Sequence, residues 1–302
     1  MTKPDAQRQS FSRAVFQLMK LRVTWAVSLS AATGYLLAAH RFDLRFLLPV
    51  GGTFLLAAGA SALNQWQEAH IDAKMPRTRN RPLPSGQISS STALFVAGLL
   101  ILLGLYVLAS VPEQTGLVLG LGILAVAWYN GVYTYLKRVT AFAVVPGSLI
   151  GALPPLIGYT AGGGAIDDPL ILLVASLFFI CQIPHFWLLL LVWGEQYAMA
   201  GLPTLTRLLS RRQLVRVSFM WMLATAAAGL TIPALSKGAV ALPWSVVLVV
   251  ASVWLFFQAL DLLRQPPEHE RPRHYRRAFL RINAYMLAVM ITLMLNGLTT
   301  GP

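Results

Sequence analysis

The chain has 302 residues, of which 56% are hydrophobic and only 12% are charged. A soluble domain of this length carries about twice that charged fraction, so the composition excludes a water-soluble globular protein. The net charge of +13 would suit a nucleic-acid-binding protein, but the basic residues lie in short clusters between apolar runs, which favours membrane topology and no nucleic-acid partner.

Apolar runs define the predicted elements, because a helix needs about 20 apolar residues to cross the hydrocarbon core of a bilayer. The runs predict an all-α polytopic membrane protein with about nine transmembrane helices in a single domain, residues 1–302. Residues 1–22 form a basic segment without the apolar core of a cleavable signal peptide. The predicted spans are 23–40, 46–66, 92–111, 116–135, 140–160, 169–192, 217–236, 240–263 and 279–299.

The loop charges predict an orientation for these spans. Of the 24 Lys and Arg residues, all except Arg41, Arg45 and Lys237 fall in the N-terminal segment and the even-numbered loops. Cytoplasmic loops of membrane proteins carry the excess of Lys and Arg. We therefore expect a multi-pass protein with its N-terminus in the cytoplasm and its C-terminus outside. A bacterial inner membrane fits this arrangement.

A polar stripe marks the end of the second predicted span. Asn64, Glu68 and Asp72 are four residues apart, which stacks them on one face of a helix, and a loop with Arg77 and Arg81 follows. Mg²⁺ prefers hard oxygen ligands, and arginine forks bind phosphate oxygens. The pattern predicts a site for a metal-bound diphosphate. Alternatively, the arginines are flank charges that pair with the acids, but that leaves the polar residues near the apolar span less well explained.

This segment resembles the first acidic motif of the UbiA superfamily of intramembrane prenyltransferases. The family pattern N-x-x-x-[DE]-x-x-x-D, followed by M-x-R-T-x-N-R-P-L, is matched from Asn64 to Leu83. Further blocks in family order extend the resemblance over about residues 20–205, and it implies nine helices around a central cavity. The similar blocks are 20–24, 133–140, 151–158 and 182–186.

The second acidic motif of the superfamily resembles E-D-Y-x-x-A-G-x-P, and here it departs from the pattern. Glu195 is present, but Gln196 stands where the aspartate is expected. A glutamine has a carbonyl oxygen that can ligate a metal, but it brings no negative charge. The resemblance therefore implies a second metal site that is weakened or is built from Glu195 alone.

Within the superfamily, the resemblance is strongest to the haem farnesyltransferases. It implies Mg²⁺-dependent transfer of a farnesyl group from farnesyl diphosphate to a vinyl group of haem B, in an enzyme that is embedded in membrane lipid. The metal ligands that it implies are Asn64, Glu68, Asp72, Glu195 and Gln196. The first four of these are also the implied catalytic residues. The residues expected to neutralise the diphosphate are Lys20, Arg22, Arg77, Arg81, Lys137 and Arg138.

One histidine lies inside a predicted span. His185 follows Pro184 in the sixth span, and the resemblance makes it a candidate haem contact. The alternative is a buried histidine that bonds to a neighbouring helix.

Two other functions stay open at this point. The chain resembles prenyltransferases that act on a quinone precursor or a lipid acceptor in the same superfamily. A haem-handling or transport protein with a degenerate site is a further alternative, and Gln196 is the residue that favours it.

Overall fold

The computed structural model describes residues 11–264 and 266–300, and the regular elements in that part of the chain are all helices. The first ten residues of the predicted basic segment, with Lys3 and Arg8, lie outside the described residues. The α-helices are α1 (Phe11–Leu18), α2 (Leu21–Ala39), α3 (Leu47–Gln67), α4 (Ala69–Asp72), α5 (Ser90–Ala109), α6 (Thr115–Val126), α7 (Thr134–Leu136), α8 (Val144–Gly147), α9 (Leu149–Ala161), α10 (Pro169–Met199), α11 (Leu205–Leu208), α12 (Arg211–Leu235), α13 (Leu242–Leu262) and α14 (Arg271–Thr299). Two 3₁₀ helices, Leu44–Phe46 and Glu268–Glu270, and a π-helix, Ala127–Tyr133, complete the set.

Eight helical stretches in the described residues are long and apolar enough to cross a membrane, and they match the second to ninth predicted spans. The first predicted span forms α2, which is a helix of 19 residues with a more polar composition. Its polar residues are turned inward, and the hydroxyls of Ser28 and Thr33 donate to the carbonyl oxygen four residues earlier. A hydroxyl satisfied in this way is tolerated inside a helix bundle, so the prediction of about nine helices is confirmed.

The long helices form a closed ring. Going round, α2 packs on α3, then α5, α6, α9, α10, α12, α13 and α14 follow, and α14 returns to α2. Across the ring, α2 also packs closely on α9. A Cβ atom on Gly34 would meet the carbonyl oxygen of Pro155, and one on Gly158 would meet that of Ala31. Only glycine permits this close backbone approach, which draws the first and fifth spans together.

Several helices extend beyond the predicted spans. The sixth span continues to Met199, and the ninth begins at Arg271 rather than near residue 279. The seventh begins at Arg211, where the Ser210 hydroxyl accepts from the backbone N–H of Gln213 and the Gln213 side chain accepts from the backbone of Ser210. Hydropathy predicts only the lipid-covered part of a helix, whereas capping and helix propensity carry the helix into the polar region.

Candidate active site

The polar stripe lies at the end of α3, where the helix is interrupted. Glu68 adopts φ −111° and ψ 7° between α3 and α4, so the expectation of one continuous helix from residue 64 to residue 72 is wrong at Glu68. The three side chains are nevertheless all withdrawn from solvent, with exposed fractions of 2% for Asn64, 6% for Glu68 and 2% for Asp72. Two carboxylates that are buried this deeply require compensating partners.

Lysines from two other helices supply part of this compensation. Lys20 Nζ, at the start of α2, donates to Asn64 Oδ1 at 3.1 Å, and Lys137 Nζ, just after α7, lies 2.6 Å from the Glu68 carboxylate. The amide nitrogen of Asn64 donates to Glu68 Oε2 at 3.1 Å and to the Thr134 hydroxyl at 3.1 Å. Residues from α2, α3 and α7 therefore meet in one network.

Asp72 is held by the loop that follows it. Arg81 Nη1 donates to Asp72 Oδ2 at 2.7 Å, and the buried Thr78 hydroxyl donates to the backbone carbonyl of Asp72 at 2.8 Å. The loop thus folds back over α4 and places an arginine directly on the last carboxylate of the stripe.

Basic side chains outnumber acidic ones in this network. Three basic side chains, Lys20, Arg81 and Lys137, converge on two carboxylates, Glu68 and Asp72. Burial of the ammonium group, together with repulsion from Arg81 and Lys137, lowers the pKa of Lys20 to about 7. Crowded cations at an oxygen-rich site suit the binding of a highly charged anion together with a divalent metal ion.

The other predicted diphosphate-binding residues lie outside this network. Arg22 is exposed and lines a surface cleft of about 470 Å³ together with Lys20. Arg138 donates to the carbonyl oxygen of Gln67 at 2.8 Å and covers the Tyr135 ring at 5.2 Å, so it stabilises the end of α3. Of the six predicted cations, the structure brings Lys20, Arg81 and Lys137 to the acidic residues.

Arg77 contacts the second acidic motif instead. Its guanidinium donates to the Tyr197 hydroxyl at 2.9 Å and lies 5.8 Å from the centre of the Trp193 ring. Its backbone N–H donates to Gln196 Oε1 at 3.3 Å. The side chain of Glu195 is 92% exposed, and its ion-pair partner is Arg211 at 4.0 Å. The structure therefore turns Gln196, rather than Glu195, toward the first motif.

His185 lies in the middle of α10 among aromatic side chains. Its ring centre is 4.7 Å from that of Phe279 in α14 and 5.4 Å from that of Phe186. Phe186 in turn lies 6.3 Å from Tyr133, whose ring faces Lys137 at 5.4 Å. A row of aromatic rings thus connects the histidine to the acidic network.

Two features of the network were missed from the sequence. The Thr134 hydroxyl accepts a hydrogen bond from the Asn64 amide. The one sequence signal for Thr134 was its position in the block 133–140, which resembles the family. Gln67 and Asn130 form a reciprocal pair, because Gln67 Nε2 donates to the Asn130 carbonyl oxygen at 3.0 Å and Asn130 Nδ2 donates to Gln67 Oε1 at 3.1 Å. This pair joins the end of α3 to the π-helix, a conformation that is often found at functional sites.

Comparison with known protein families agrees with this arrangement. The profile of the UbiA prenyltransferase family matches residues 27–292, which is most of the chain. The chain belongs to the UbiA prenyltransferase family.

Relatives within this family span nearly the whole chain. The chain is 36% identical to the protoheme IX farnesyltransferase of Nitratidesulfovibrio vulgaris over 288 residues, which cover 94% of this chain and 95% of that protein. It is also 36% identical to the protoheme IX farnesyltransferase of Geobacter sulfurreducens, over 92% of this chain and 97% of that protein.

Solved structures of low sequence identity share the UbiA fold. A digeranylgeranylglyceryl phosphate synthase superposes with a TM-score of 0.75 at 14% identity, over 95% of this chain and 98% of that chain. A UbiA homolog from Archaeoglobus fulgidus bound to GPP and Mg²⁺ superposes with a TM-score of 0.64 at 15% identity, over 91% of this chain and 99% of that chain. The fold of this UbiA prenyltransferase is therefore confirmed.

The first motif of this UbiA prenyltransferase has the donor atoms that Mg²⁺ prefers. Asn64 offers an amide oxygen, and Glu68 and Asp72 offer carboxylates, which fits a site completed by substrate phosphates. Lys137 Nζ lies 2.6 Å from both oxygens of the Glu68 carboxylate. Within residues 11–264 and 266–300, no group of three or more His, Cys, Asp or Glu residues is close enough to hold a metal ion.

Proposed function

We propose that this UbiA prenyltransferase transfers a farnesyl group from farnesyl diphosphate to a vinyl group of haem B, giving haem O and diphosphate. Two relatives named protoheme IX farnesyltransferase, which align over more than nine-tenths of the chain, support this donor and acceptor. The observation that carries the chemistry is the buried carboxylate pair, Glu68 and Asp72, with a cation on each carboxylate.

The first acidic motif forms the proposed metal and diphosphate site. Asn64, Glu68 and Asp72 would hold one Mg²⁺ through their side-chain oxygens. Lys20, Arg81 and Lys137 would release their present carboxylate and amide partners and bind the diphosphate oxygens, because the metal then balances the charge of the acids. The present ion pairs keep these charged groups satisfied before the substrate arrives.

The proposed reaction begins with cleavage of the allylic C–O bond, whose electron pair leaves with the diphosphate. Lys20, Arg81 and Lys137 stabilise the negative charge that develops on the leaving group. A bound Mg²⁺ would act as a Lewis acid and add to the stabilisation of the leaving group. The allylic carbon then bonds to the terminal vinyl carbon of haem, and water adds to the resulting cation and releases a proton. The apolar helices exclude bulk water from the allylic cation that forms when the C–O bond is cleaved.

The other predicted site residues lie outside the first acidic network, and we propose separate roles for them. Arg22, which lines a cleft with Lys20, and Arg77, which joins the two acidic motifs, would act at the entrance for the diphosphate. Arg138 would stabilise the end of α3 beside the site. The proposal that Glu195 and Gln196 hold a second metal has less support, because the Glu195 carboxylate is exposed.

His185 is the proposed haem contact, because its half-buried imidazole lies at the end of the aromatic row that leads to the acidic network. Flat rings such as Phe186 and Phe279 suit packing against a porphyrin. The whole chain would act as one domain in the bacterial inner membrane. The basic N-terminal segment and even-numbered loops would lie in the cytoplasm, which is the side on which the acidic network would meet farnesyl diphosphate.

The test is a reconstituted reaction with defined substrates. The purified protein is incubated in detergent with haem B, farnesyl diphosphate and Mg²⁺, and the haems are separated by chromatography and weighed by mass spectrometry. A product heavier than haem B by a farnesyl chain plus water supports the proposal. Diphosphate release with a quinone precursor or a lipid acceptor, but without a haem product, would move the function to another acceptor. No turnover with any of these acceptors would contradict an enzymatic function.

A further inference from the structure

The hydroxyl of Thr134 lies between the acidic network and the π-helix. Thr134 is the first residue of α7 and is fully buried. Its Oγ1 donates to the carbonyl oxygen of Tyr129 at 2.8 Å, and it lies 3.1 Å from Asn64 Nδ2. A hydroxyl has one hydrogen to donate. Because that hydrogen goes to Tyr129, the hydroxyl accepts from Asn64, and this bond requires the Asn64 amide to present its NH₂ group.

Both hydrogens of the Asn64 amide are then used. One goes to Thr134 and the other to Glu68 Oε2, at 3.1 Å in each case. The Asn64 oxygen is left as the acceptor, and it faces the ammonium of Lys20 at 3.1 Å. If the amide were turned over, its oxygen would face the Glu68 carboxylate and its NH₂ group would face the Lys20 ammonium, and both contacts would be repulsive.

The π-helix gives the hydroxyl this position. Its last turn closes when the backbone N–H of Thr134 bonds to the carbonyl oxygen of Tyr129, five residues earlier. The same carbonyl oxygen accepts from the Thr134 hydroxyl. The hydroxyl bond holds the Thr134 side chain in one rotamer, in which its oxygen lies 3.1 Å from the Asn64 amide nitrogen.

We propose that Thr134 is a positioning residue for the metal site. It holds the Asn64 amide so that the oxygen, which faces Lys20, would be available to ligate the metal ion. This inference rests on the proposed function, because it assumes that Asn64 is a metal ligand. Bonds from residues behind the ligands commonly orient metal ligands, and their loss typically lowers metal affinity or activity by about 10-fold to 100-fold.

Another buried threonine provides a matched control. Thr225 in α12 is also fully buried, and its hydroxyl donates to the carbonyl oxygen of Trp221 at 2.8 Å. It has the same type of hydroxyl-to-backbone bond but lies on a different helix from the acidic network. Replacing Thr225 therefore reports the cost of losing such a bond without any effect on Asn64.

The experiment measures metal binding without turnover. Mn²⁺ replaces Mg²⁺ as a spectroscopic probe, and its dissociation constant is measured by electron paramagnetic resonance with farnesyl diphosphate present and haem absent. The proteins are the unaltered chain, Thr134→Val, Thr134→Ser and Thr225→Val, all full-length in detergent. Thermal unfolding of each is followed by circular dichroism, so that a loss of folding is not mistaken for a loss of metal affinity.

We expect Thr134→Val to weaken Mn²⁺ binding by about 10-fold or more, while Thr134→Ser and Thr225→Val stay within about 2-fold of the unaltered chain. Equal Mn²⁺ affinity in Thr134→Val and the unaltered chain would overturn the role of Thr134 and leave the metal site standing. Absence of Mn²⁺ binding in the unaltered chain would overturn the metal site itself. If Thr134→Val does not fold, Thr134→Ala replaces it, since a smaller side chain cannot overpack the site, and the same criteria apply.

Discussion

The two acidic motifs of this protein lie in opposite environments. In the first motif, Glu68 and Asp72 are buried, and each has a cation within 2.7 Å. In the second motif, Glu195 is exposed, and its cation partner, Arg211, is 4.0 Å away. Gln196, the neutral residue of the second motif, is the one that bonds to the first motif loop through the backbone of Arg77.

This difference shows what burial does to a carboxylate. A buried charge is costly unless it is paired and hydrogen-bonded, so the fold must bring Arg81 and Lys137 to the first motif. An exposed carboxylate is stabilised by water, so nothing requires the fold to place a partner beside Glu195. We therefore expect the chemistry to depend mainly on the first motif, and four substitutions test this comparison.

Glu68→Gln is expected to have the largest effect. It removes a carboxylate from the proposed metal site, and stabilisation of a leaving group by a metal is worth several kcal/mol, so haem O formation should fall by about 100-fold or more. The rate is measured by chromatography of the haem product. Glu113→Gln is the control, because Glu113 pairs with Arg45 at 2.8 Å in loops of the opposite predicted side, and it should keep full activity. Equal rates in the two variants would show that the reaction does not depend on the Glu68 carboxylate.

Lys137→Gln is expected to have the second largest effect. It leaves the Glu68 carboxylate without its ammonium partner, and an unsatisfied buried group costs about 1–3 kcal/mol in the free energy of unfolding. The midpoint of thermal unfolding in detergent should fall, and the KM for farnesyl diphosphate should rise by about 10-fold. Lys74→Gln, in the exposed basic loop, should change neither value. An unchanged KM in Lys137→Gln would show that this lysine serves the fold alone.

Gln196→Asp tests whether the missing charge limits the second motif. An added carboxylate near the Arg77 loop should attract a divalent cation by about 1 kcal/mol, which corresponds to about a 5-fold lower Mg²⁺ concentration at half-maximal rate. The Mg²⁺ dependence of haem O formation is the measurement. Gln196→Asn is the control, because asparagine has the same side-chain length as aspartate but no charge, and it should not lower that concentration. A similar shift in both variants would mean that side-chain length, rather than charge, matters at this position.

Glu195→Gln is expected to have the smallest effect. The carboxylate is exposed and its ion pair with Arg211 is long, so its loss should change the rate and the Mg²⁺ dependence by less than about 2-fold. Both are measured in the same assay. A loss comparable to that of Glu68→Gln would show that the second motif moves onto the site when substrate binds, and it would restore Glu195 as a metal ligand.

Much of the fold could be predicted from the sequence. The apolar runs predicted eight of the helices directly, because a helix that crosses a bilayer must have a minimum length of apolar sequence. The first predicted span also forms a helix, α2, but its serines and threonines lower its apolar character, and their inward orientation is visible only in the packed ring. The ends of α10 and α14 lay outside the predicted spans, since polar helical turns carry no hydropathy signal.

The site was predicted in part. Spacing placed Asn64, Glu68 and Asp72 together, and the structure keeps them together even though the helix breaks at Glu68. Which of the six predicted cations reach them could not be predicted, because Arg77 and Arg81 lie in the same loop yet bond to different motifs. The direction of a loop arginine depends on its partners, and residues far apart in sequence supply them.

The sequence by itself determined the membrane class and the location of the first acidic motif, because these depend on composition, apolar length and local spacing, and its motifs carried the resemblance to the family. Only the tertiary structure decided that Thr134, Lys137 and Lys20 meet Asn64 and Glu68, and that Glu195 stays exposed. The physical reason is that a hydrogen bond or ion pair between distant segments forms only when the helices pack and exclude water. Packing is a property of the whole ring and of no single segment.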